Sequence, residues 1–331
     1  EAVVNSSRAR AFFEKWLAAY GDDSISQLAG AHLFFENVSN IATQVLEDFR
    51  VGFAPLEKST RYVTFSQKVD GRYLYFREPD ILKSSYGREY VKLMDLLFDS
   101  YSTSMEPLSV YLRKKFKQEK DQSDRAYTET IKAKAFDVLR AYLPAATLTN
   151  VGFFGVGQAF EYVITKCLAS PIAEIRQLAR DAQKELLKVI PSMVERPTSA
   201  RGKIYQKFVA QTDKDLEKMA ANLATSNQQL ATSNQHVELV EWDVDAEDKI
   251  IASLFYKYST IGYQSIKYQV SRMNTKQKLA IIKKTIARRQ VRQHRLVRAF
   301  ENTYYKFDIV ANFGAYRDLH GQRMLTQERQ R

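Results

Sequence analysis

Residues 57–62 read Glu-Lys-Ser-Thr-Arg-Tyr and carry the clearest chemical pattern in the chain. If this segment is extended, residues 57, 59 and 61 point to the same side, because side chains alternate along a strand. Arg61 would then grip an anion with its guanidinium fork, Ser59 would donate a second hydrogen bond, and Glu57 would reach a ribose hydroxyl or a base edge. The pattern predicts a binding loop for a phosphorylated sugar. A surface ion pair between Glu57 and Arg61 is the alternative.

The other reactive side chains do not form a catalytic or metal-binding pattern. No metal site is expected, because metal-ligand spacing is absent among the single cysteine and the four histidines, His32, His236, His294 and His320. Glu47 and Asp48 are adjacent, and adjacent side chains on a helix diverge by about 100°, so a shared acid–base site is not expected. Cys167 follows Val163 and Ile164 in an apolar stretch and is predicted to be a buried core thiol. No catalytic residue is assigned.

Composition and charge point to a non-membrane protein that meets anions. The chain has 331 residues, 45% of them hydrophobic and 27% charged, and its formal net charge is +12. This favours anionic partners and allows two domains or one large one. No apolar run approaches the roughly 18 residues that span a bilayer. A single cysteine excludes an internal disulfide framework and predicts a reducing, cytoplasmic compartment. A first residue other than Met and an abrupt end at Arg331 predict a trimmed start and a cut end.

Local signals place the 57–62 loop between regular elements. An amphipathic helix is predicted over 8–20, and an apolar helix or strand pair runs through 41–46. Gly52 and Pro55 interrupt regular structure just before the loop. The loop then leads into a predicted strand at 62–65, and a second strand at 73–76 follows the Val-Asp-Gly-Arg turn at 69–72.

The middle of the chain is predicted to be helical. A long amphipathic helix covers 86–118 with a break at Pro107, and another helix covers 128–142. Residues 150–157 form an apolar turn with glycines at 152, 155 and 157. Their spacing matches neither the dinucleotide nor the P-loop fingerprint, so close packing is favoured over phosphate binding. Helices at 159–168 and 171–189 complete this part.

A repeated Leu-Ala-Thr-Ser-Asn-Gln motif at 223–235 marks residues 198–236 as a linker or connecting helix. Beyond it we predict strands at 237–242 and 303–310, with helices at 246–256, 263–270 and 275–289 between them. The cations between 283 and 298 form a basic run, interpreted either as a solvated helix face or as a means of recruiting anions. Aromatic residues lie beyond this run rather than within it, so single-strand stacking is not supported and nucleic acid is an unlikely partner.

Three segments resemble the flavin-dependent thymidylate synthase family: Ile-Ala-Thr-Gln-Val-Leu-Glu-Asp at 41–48, the loop at 57–62, and Leu-Pro-Ala-Ala-Thr-Leu-Thr at 143–149. The last ninety-five residues resemble the front half of the same domain. The resemblance therefore implies an α+β fold, mostly helical, with a small antiparallel sheet per domain and two tandem copies. The first copy would occupy 1–197 without its opening strand, and a partial second copy would occupy 237–331.

The resemblance also implies a function. Members of the family methylate dUMP to dTMP with methylenetetrahydrofolate, and NADPH supplies the hydride through FAD. The implied partners are thus dUMP and a folate, in a homo-oligomer where two tandem chains imitate a tetramer. The nucleotide-binding residues would be Gln44, Glu57, Ser59, Arg61 and Tyr62. The cofactor-binding residues would be Ser24, Arg50, Arg317 and Arg323.

Several family positions are altered. Acids stand at Glu47 and Asp48, where the family signature has arginine and histidine, and Asn150, Gln158 and Cys167 replace family arginines. The second copy keeps Arg317 and Arg323. Because the losses are complementary, the first hypothesis is a composite site in which one copy supplies the nucleotide loop and the other supplies cations. A non-catalytic homologue that binds nucleotide or acts as a scaffold is the second, and a basic nucleic-acid binder is the third.

Overall fold

The computed structural model describes residues 11–12, 15, 26–49, 51–226, 236–291, 293–322 and 324–330. The helix predicted over 8–20 therefore lies almost wholly outside the described residues. The chain divides into two compact units: Glu1–Gln228 together with Phe313–Arg331, and Gln229–Asn312. The predicted boundaries of the two copies remain predictions, and the compact units follow a different division because the last segment belongs to the first unit.

A three-stranded antiparallel sheet forms the centre of the first unit. Its order is β1 (Gly30–Ser39), β5 (Leu148–Val156) and β2 (Phe53–Glu57). The prediction of a turn at 150–157 is wrong, because these residues form most of the central strand. Alternate residues of β5, including Val151 and Phe153, are buried. The glycines permit close packing, as predicted: a Cβ added at Gly152 would lie 2.7 Å from the ring of Phe34.

Three helices complete the hydrophobic core of this sheet. Helix α1 (Asn40–Glu47) begins where the Ser39 hydroxyl accepts a hydrogen bond from the Ala42 N–H. Helices α6 (Gly157–Leu168) and α7 (Ala173–Leu186) confirm the two helices predicted after the glycines. The core joins side chains from all of these elements: Val38, Ala42, Phe153, Phe160, Ile164 and Ile175.

A second, mainly helical core belongs to the same unit. It contains a short hairpin, β3 (Lys68–Val69) and β4 (Arg72–Tyr73), which turns at the predicted Asp-Gly pair. The helices are α2 (Pro79–Lys83), α3 (Gly87–Thr103), α4 (Met105–Lys115) and α5 (Asp124–Leu139). The predicted long helix breaks at Ser104 rather than at Pro107. Pro107 lies in the first turn of α4, where a backbone N–H has no intrahelical partner to lose.

The first unit continues through α8 (Pro191–Val194) to a long helix, α9 (Ala200–Ser226), which occupies most of the predicted linker or connecting helix. It also includes the last helix of the chain, described below with the site. No helix in the described part of the chain is long and apolar enough to cross a membrane.

The second unit contains β6 (Val237–Trp242), α10 (Ala246–Tyr256), α11 (Tyr263–Ser271), α12 (Thr275–Ile286) and β7 (Tyr305–Ile309). Strands β6 and β7 pair antiparallel, and the helices enclose a small core around Ile251 and Val270. A capping box between Asn274 and Gln277 begins α12. With helices and small antiparallel sheets in both units, the protein has the expected α+β fold.

Candidate functional site

The loop after β2 is a turn rather than the start of a strand. The Ser59 hydroxyl accepts a hydrogen bond from the Arg61 N–H at 3.2 Å, and the Ser59 carbonyl accepts from Tyr62 and Val63. These bonds curl the chain, so the predicted strand at 62–65 is wrong. Glu57, Ser59 and Arg61 consequently do not share one side of an extended segment. Glu57 ends β2 and is largely buried, whereas the Arg61 side chain is 45% exposed.

Glu57 pairs with a residue from the far end of the chain. Helix α13 (Phe313–His320) belongs to the first unit, and its Arg317 Nη2 donates to Glu57 Oε1 at 2.5 Å. Both side chains are only 16% exposed. Burial raises the pKa of Glu57 above its usual value, against the opposing effect of the Arg317 guanidinium. The contact joins two residues that sequence reasoning assigned separately to nucleotide and cofactor binding.

Asp48 is the centre of a second set of contacts with the C-terminal segment. His320 Nε2 lies 2.8 Å from Asp48 Oδ1, and Arg329 donates to both Asp48 oxygens at 2.9 and 2.8 Å. Burial disfavours the charged carboxylate, but the hydrogen bonds from His320 and Arg329 prevail and lower the pKa of Asp48. Hydrogen bonds to Asp48 and Glu47 raise the pKa of His320 to about 9, so this histidine is a cation at neutral pH.

A third set of contacts links the turn to α13 through the end of α5. Arg140 donates to both carboxylate oxygens of Asp318, at 3.1 and 2.7 Å, and also contacts Asp137 at 3.0 Å. Arg61 Nε lies 3.2 Å from the same Asp137 oxygen. The resulting charge network has five acids and five cations: Glu47, Asp48, Glu57, Asp137 and Asp318 with Arg61, Arg140, Arg317, His320 and Arg329. Its formal charges balance when His320 is protonated.

Arg61 and Tyr62 also line an open groove against α5. The groove has a volume of about 310 Å³. Small side chains of α5 at helical spacing, Ala126, Thr130 and Ala133, line its wall together with Glu129, Lys132 and Phe136. Cationic, aromatic and hydroxyl groups thus face one cavity. Sequence reasoning missed the α5 contribution, because these residues lie some seventy positions from the loop and carry no motif.

The remaining predicted site residues lie elsewhere. Gln44 is buried on α1, and its Nε2 has no hydrogen-bond partner in the described part of the chain. Ser24, Arg50 and Arg323 fall outside the described residues.

The residues that replace family arginines have ordinary structural contacts. Asn150 Oδ1 accepts from the backbone N–H of Asn37 at 2.9 Å, and Gln158 accepts from Gln27 at 2.7 Å. Cys167 is a buried thiol, as predicted, and burial raises its pKa to about 12. Among the described residues, no group of three or more His, Cys, Asp or Glu side chains could hold a metal ion.

Comparisons with known proteins identify relatives of this chain. The family model described as thymidylate synthase complementing protein, Thy1, matches residues 1–192. The UPF0159 protein of Chlamydia pneumoniae is 38% identical over 325 residues, which cover 98% of this chain and 61% of that protein. The UPF0159 protein of Chlamydia muridarum is 37% identical over 332 residues, covering 100% of this chain and 62% of that protein. This chain therefore spans about three fifths of the length of these relatives.

A more distant relative and one solved structure extend the comparison. The UPF0159 protein Ta1429 of Thermoplasma acidophilum is 29% identical over 346 residues, covering 97% of this chain and 67% of that protein. A UMP/dUMP methylase, PolB from Streptomyces cacaoi bound with 5-Br UMP, aligns at a TM-score of 0.39 with 14% identity. That alignment covers 59% of this chain and 83% of the methylase, and the likeness is too remote to bear on function.

Proposed function

The chain belongs to the thymidylate synthase complementing protein family, and on that premise we propose that the whole protein methylates dUMP to dTMP. In this proposal the loop at 57–62 and the groove beside it bind the nucleotide. Methylenetetrahydrofolate donates the carbon unit, and NADPH donates the hydride through FAD, as the family resemblance implies. Such chemistry needs the protein chiefly to bind and orient its reactants, which suits a chain with no assigned nucleophile.

The groove that contains Arg61 and Tyr62 is the observation that carries this proposal. Its volume of about 310 Å³ lies within the usual range for small-molecule sites. Asp137 contacts Nε of Arg61 at 3.2 Å, and the Arg61 side chain is 45% exposed, so its two terminal nitrogens are the part of the guanidinium assigned to the ligand in this proposal. Those nitrogens are the pair that grips a phosphate, while Tyr62 and Phe136 offer faces on which a pyrimidine ring can stack.

Arg317, the one predicted cofactor-binding residue that the structure describes, does not fit a role in binding FAD at this site. A flavin diphosphate needs uncompensated cations, but Arg317 is paired with Glu57 and Arg329 is paired with Asp48. Glu47 and Asp48 add negative charge beside them. We therefore assign the described residues to nucleotide binding and assign no step of the reaction to flavin held by them.

Calorimetric titration of the intact protein with dUMP tests the nucleotide site. We expect Arg61→Ala to weaken binding at least about tenfold, since it removes a charge-assisted pair of hydrogen bonds. Arg72→Ala is the matched control, because Arg72 is an exposed arginine at the turn of the β3–β4 hairpin. Equal binding by the wild type and Arg61→Ala would refute the assignment, and so would an absence of dUMP binding to the wild type.

A non-catalytic role is the second candidate, and the balanced charge network favours it. The acids at 47, 48 and 57 already have cationic partners from α13 and the segment after it, as expected of a scaffold contact. Turnover of dUMP by the intact protein, with FAD, NADPH and methylenetetrahydrofolate supplied, separates the two candidates. Turnover that falls in Arg61→Ala supports the enzyme, whereas dUMP binding without turnover supports the scaffold.

We also propose that the protein is a homo-oligomer in which two chains imitate a tetramer of single domains. Light scattering coupled to gel filtration tests this directly. A mass of two chains at micromolar concentration supports the proposal, and a mass of one chain contradicts it.

A further inference from the structure

The segment from Arg272 to Arg298 has a charge bias that the proposed function does not use. It contains ten lysines and arginines in 27 residues and no aspartate or glutamate. The bias is therefore not the mixture of signs that is typical of a solvated helix surface.

Helix α12 presents part of this charge on one side. Ile281 and Ile282 pack against the core of the second unit, and Lys278 pairs with Asp248, so these residues define the inward side. Lys276 and Lys283 are seven residues apart, which is 20° short of two full turns, so they share the opposite side about 10 Å apart. Both are exposed, as is the neighbouring Lys284.

Half of these ten cations have no acidic partner among the described residues of their unit. Lys278 pairs with Asp248 and Arg298 pairs with Glu301. In the part of the second unit that the structure describes, no carboxylate pairs with five further cations, Lys276, Lys283, Lys284, Arg288 and Arg295. The exposed charge is thus uncompensated within its own unit and is complementary to a polyanion.

Contrary to the expectation from the sequence, we propose that α12 and the exposed cations after it, Arg288 and Arg295, bind the phosphate backbone of a double-stranded nucleic acid. Lysines on one side of the helix supply point charges, and Arg288 and Arg295 beyond its end supply forked donors that match phosphate oxygens. Binding of this kind depends on charge rather than on base sequence.

Two other polyanionic surfaces match this segment less well. Single strands need aromatic stacking platforms, and Phe300, Tyr304 and Tyr305 lie outside the segment rather than among its cations. An anionic membrane needs an apolar side that inserts between lipids. On α12 the adjacent residues Ile281 and Ile282 pack against the core instead. The large apolar side chains that the helix exposes are Leu279 and Ile286.

Fluorescence anisotropy with labelled DNA and RNA duplexes of about 20 base pairs tests the proposal on the intact protein. We expect the logarithm of the association constant to fall linearly with the logarithm of the salt concentration. The triple variant Lys276→Gln/Lys283→Gln/Lys284→Gln should reduce that slope by up to about 3 and weaken binding at least about tenfold at roughly 0.15 M salt. Glutamine keeps helix propensity, and a thermal melt of each variant checks that the fold is retained.

The matched control is Lys114→Gln/Lys117→Gln/Lys120→Gln, which removes the same charge from exposed positions of the first unit. Its slope and affinity should stay at wild-type values. Equal losses in the two triples would overturn the proposal, because net charge alone would then explain binding, and so would no binding by the wild type. Binding to vesicles with about 30% phosphatidylserine that is lost only in the α12 triple, without duplex binding, would assign the surface to membranes instead. Titration with dUMP should be unchanged in the α12 triple, which separates this test from that of the nucleotide groove.

Discussion

Arg317 donates a 2.5 Å hydrogen bond to Glu57, although 260 positions separate the two residues. Both side chains are mostly removed from solvent, so each depends on the other to compensate its charge. Removing one partner of such a pair leaves a buried charge unpaired, which costs more than the pair contributes by itself.

Replacement of Arg317 should therefore destabilise the first unit strongly. We expect Arg317→Met to lower the free energy of unfolding by about 3 kcal/mol, measured by urea denaturation of the intact protein. The double variant Glu57→Gln/Arg317→Met removes both charges. Its loss of unfolding free energy should therefore be smaller than the sum of the losses in the two single variants. Arg298→Met, in the exposed pair with Glu301, is the control and should change stability by less than about 1 kcal/mol. Additive single effects would show that the pair is not coupled.

Stability should fall at alkaline pH because of His320. Hydrogen bonds to Asp48 and Glu47 raise its pKa from 6.5 to about 9. A raised pKa means that the stabilisation is fully present below about pH 6.5 and is lost as the pH rises through 9. This pKa shift corresponds to a contribution of about 3 kcal/mol to the free energy of unfolding.

Urea denaturation between pH 6 and 10 measures this contribution. Tyr316 and Arg329 also face this cluster, so the comparison must be made between variants rather than between pH values alone. In His320→Gln the free energy of unfolding should fall less as the pH rises. In His294→Gln, a change at an exposed position, it should fall as in the wild type. The same alkaline loss in His320→Gln would contradict the assignment.

Cys167 should be inert in the native protein. It is 1% exposed, and burial raises its pKa to about 12, so thiolate is scarce at pH 8. Because it is the single cysteine of the chain, reaction with Ellman's reagent reports on this residue alone. We expect negligible labelling of the folded protein and one thiol per chain after denaturation. Rapid labelling without denaturant would mean that the core around α6 opens readily.

Asn150 should be required as an acceptor at the bulge of β1. Its Oδ1 accepts from the N–H of Asn37, which has a positive φ of 54° where the β1–β5 register shifts. We expect Asn150→Ala to cost about 1 kcal/mol of stability, and Asn150→Asp, which keeps the acceptor, to cost less. The denaturation midpoints of the two variants provide the measurement. Equal midpoints would show that the hydrogen bond does not contribute.

Local signals in the sequence predicted those elements whose causes are local. The residues that predict strand 237–242 lie within the strand itself. Strand β5 was missed because glycines usually mark turns. Here they accommodate aromatic rings across the sheet, a tertiary cause that a window of neighbouring residues does not contain.

The candidate site was less predictable for the same reason. The Ser59 hydroxyl offers the backbone a turn in place of the strand, which altered the direction of Arg61. The pairing of Arg140 with Asp318 spans 178 positions and has no signal in either local segment. The family resemblance suggested that two copies combine their residues. It did not indicate that α13 would bring Arg317 to Glu57, and the binding roles of these residues remain predictions.

The balanced charges around Asp48 also restrict how this sequence can change over time. An arginine placed at 48 would meet Arg329 and protonated His320, and three like charges would then lie together. Such a substitution is therefore unfavourable unless positions 320 and 329 change with it. The charges at 48, 320 and 329 therefore constrain one another, because a substitution tolerated at one of these positions decides which substitutions the other two can tolerate.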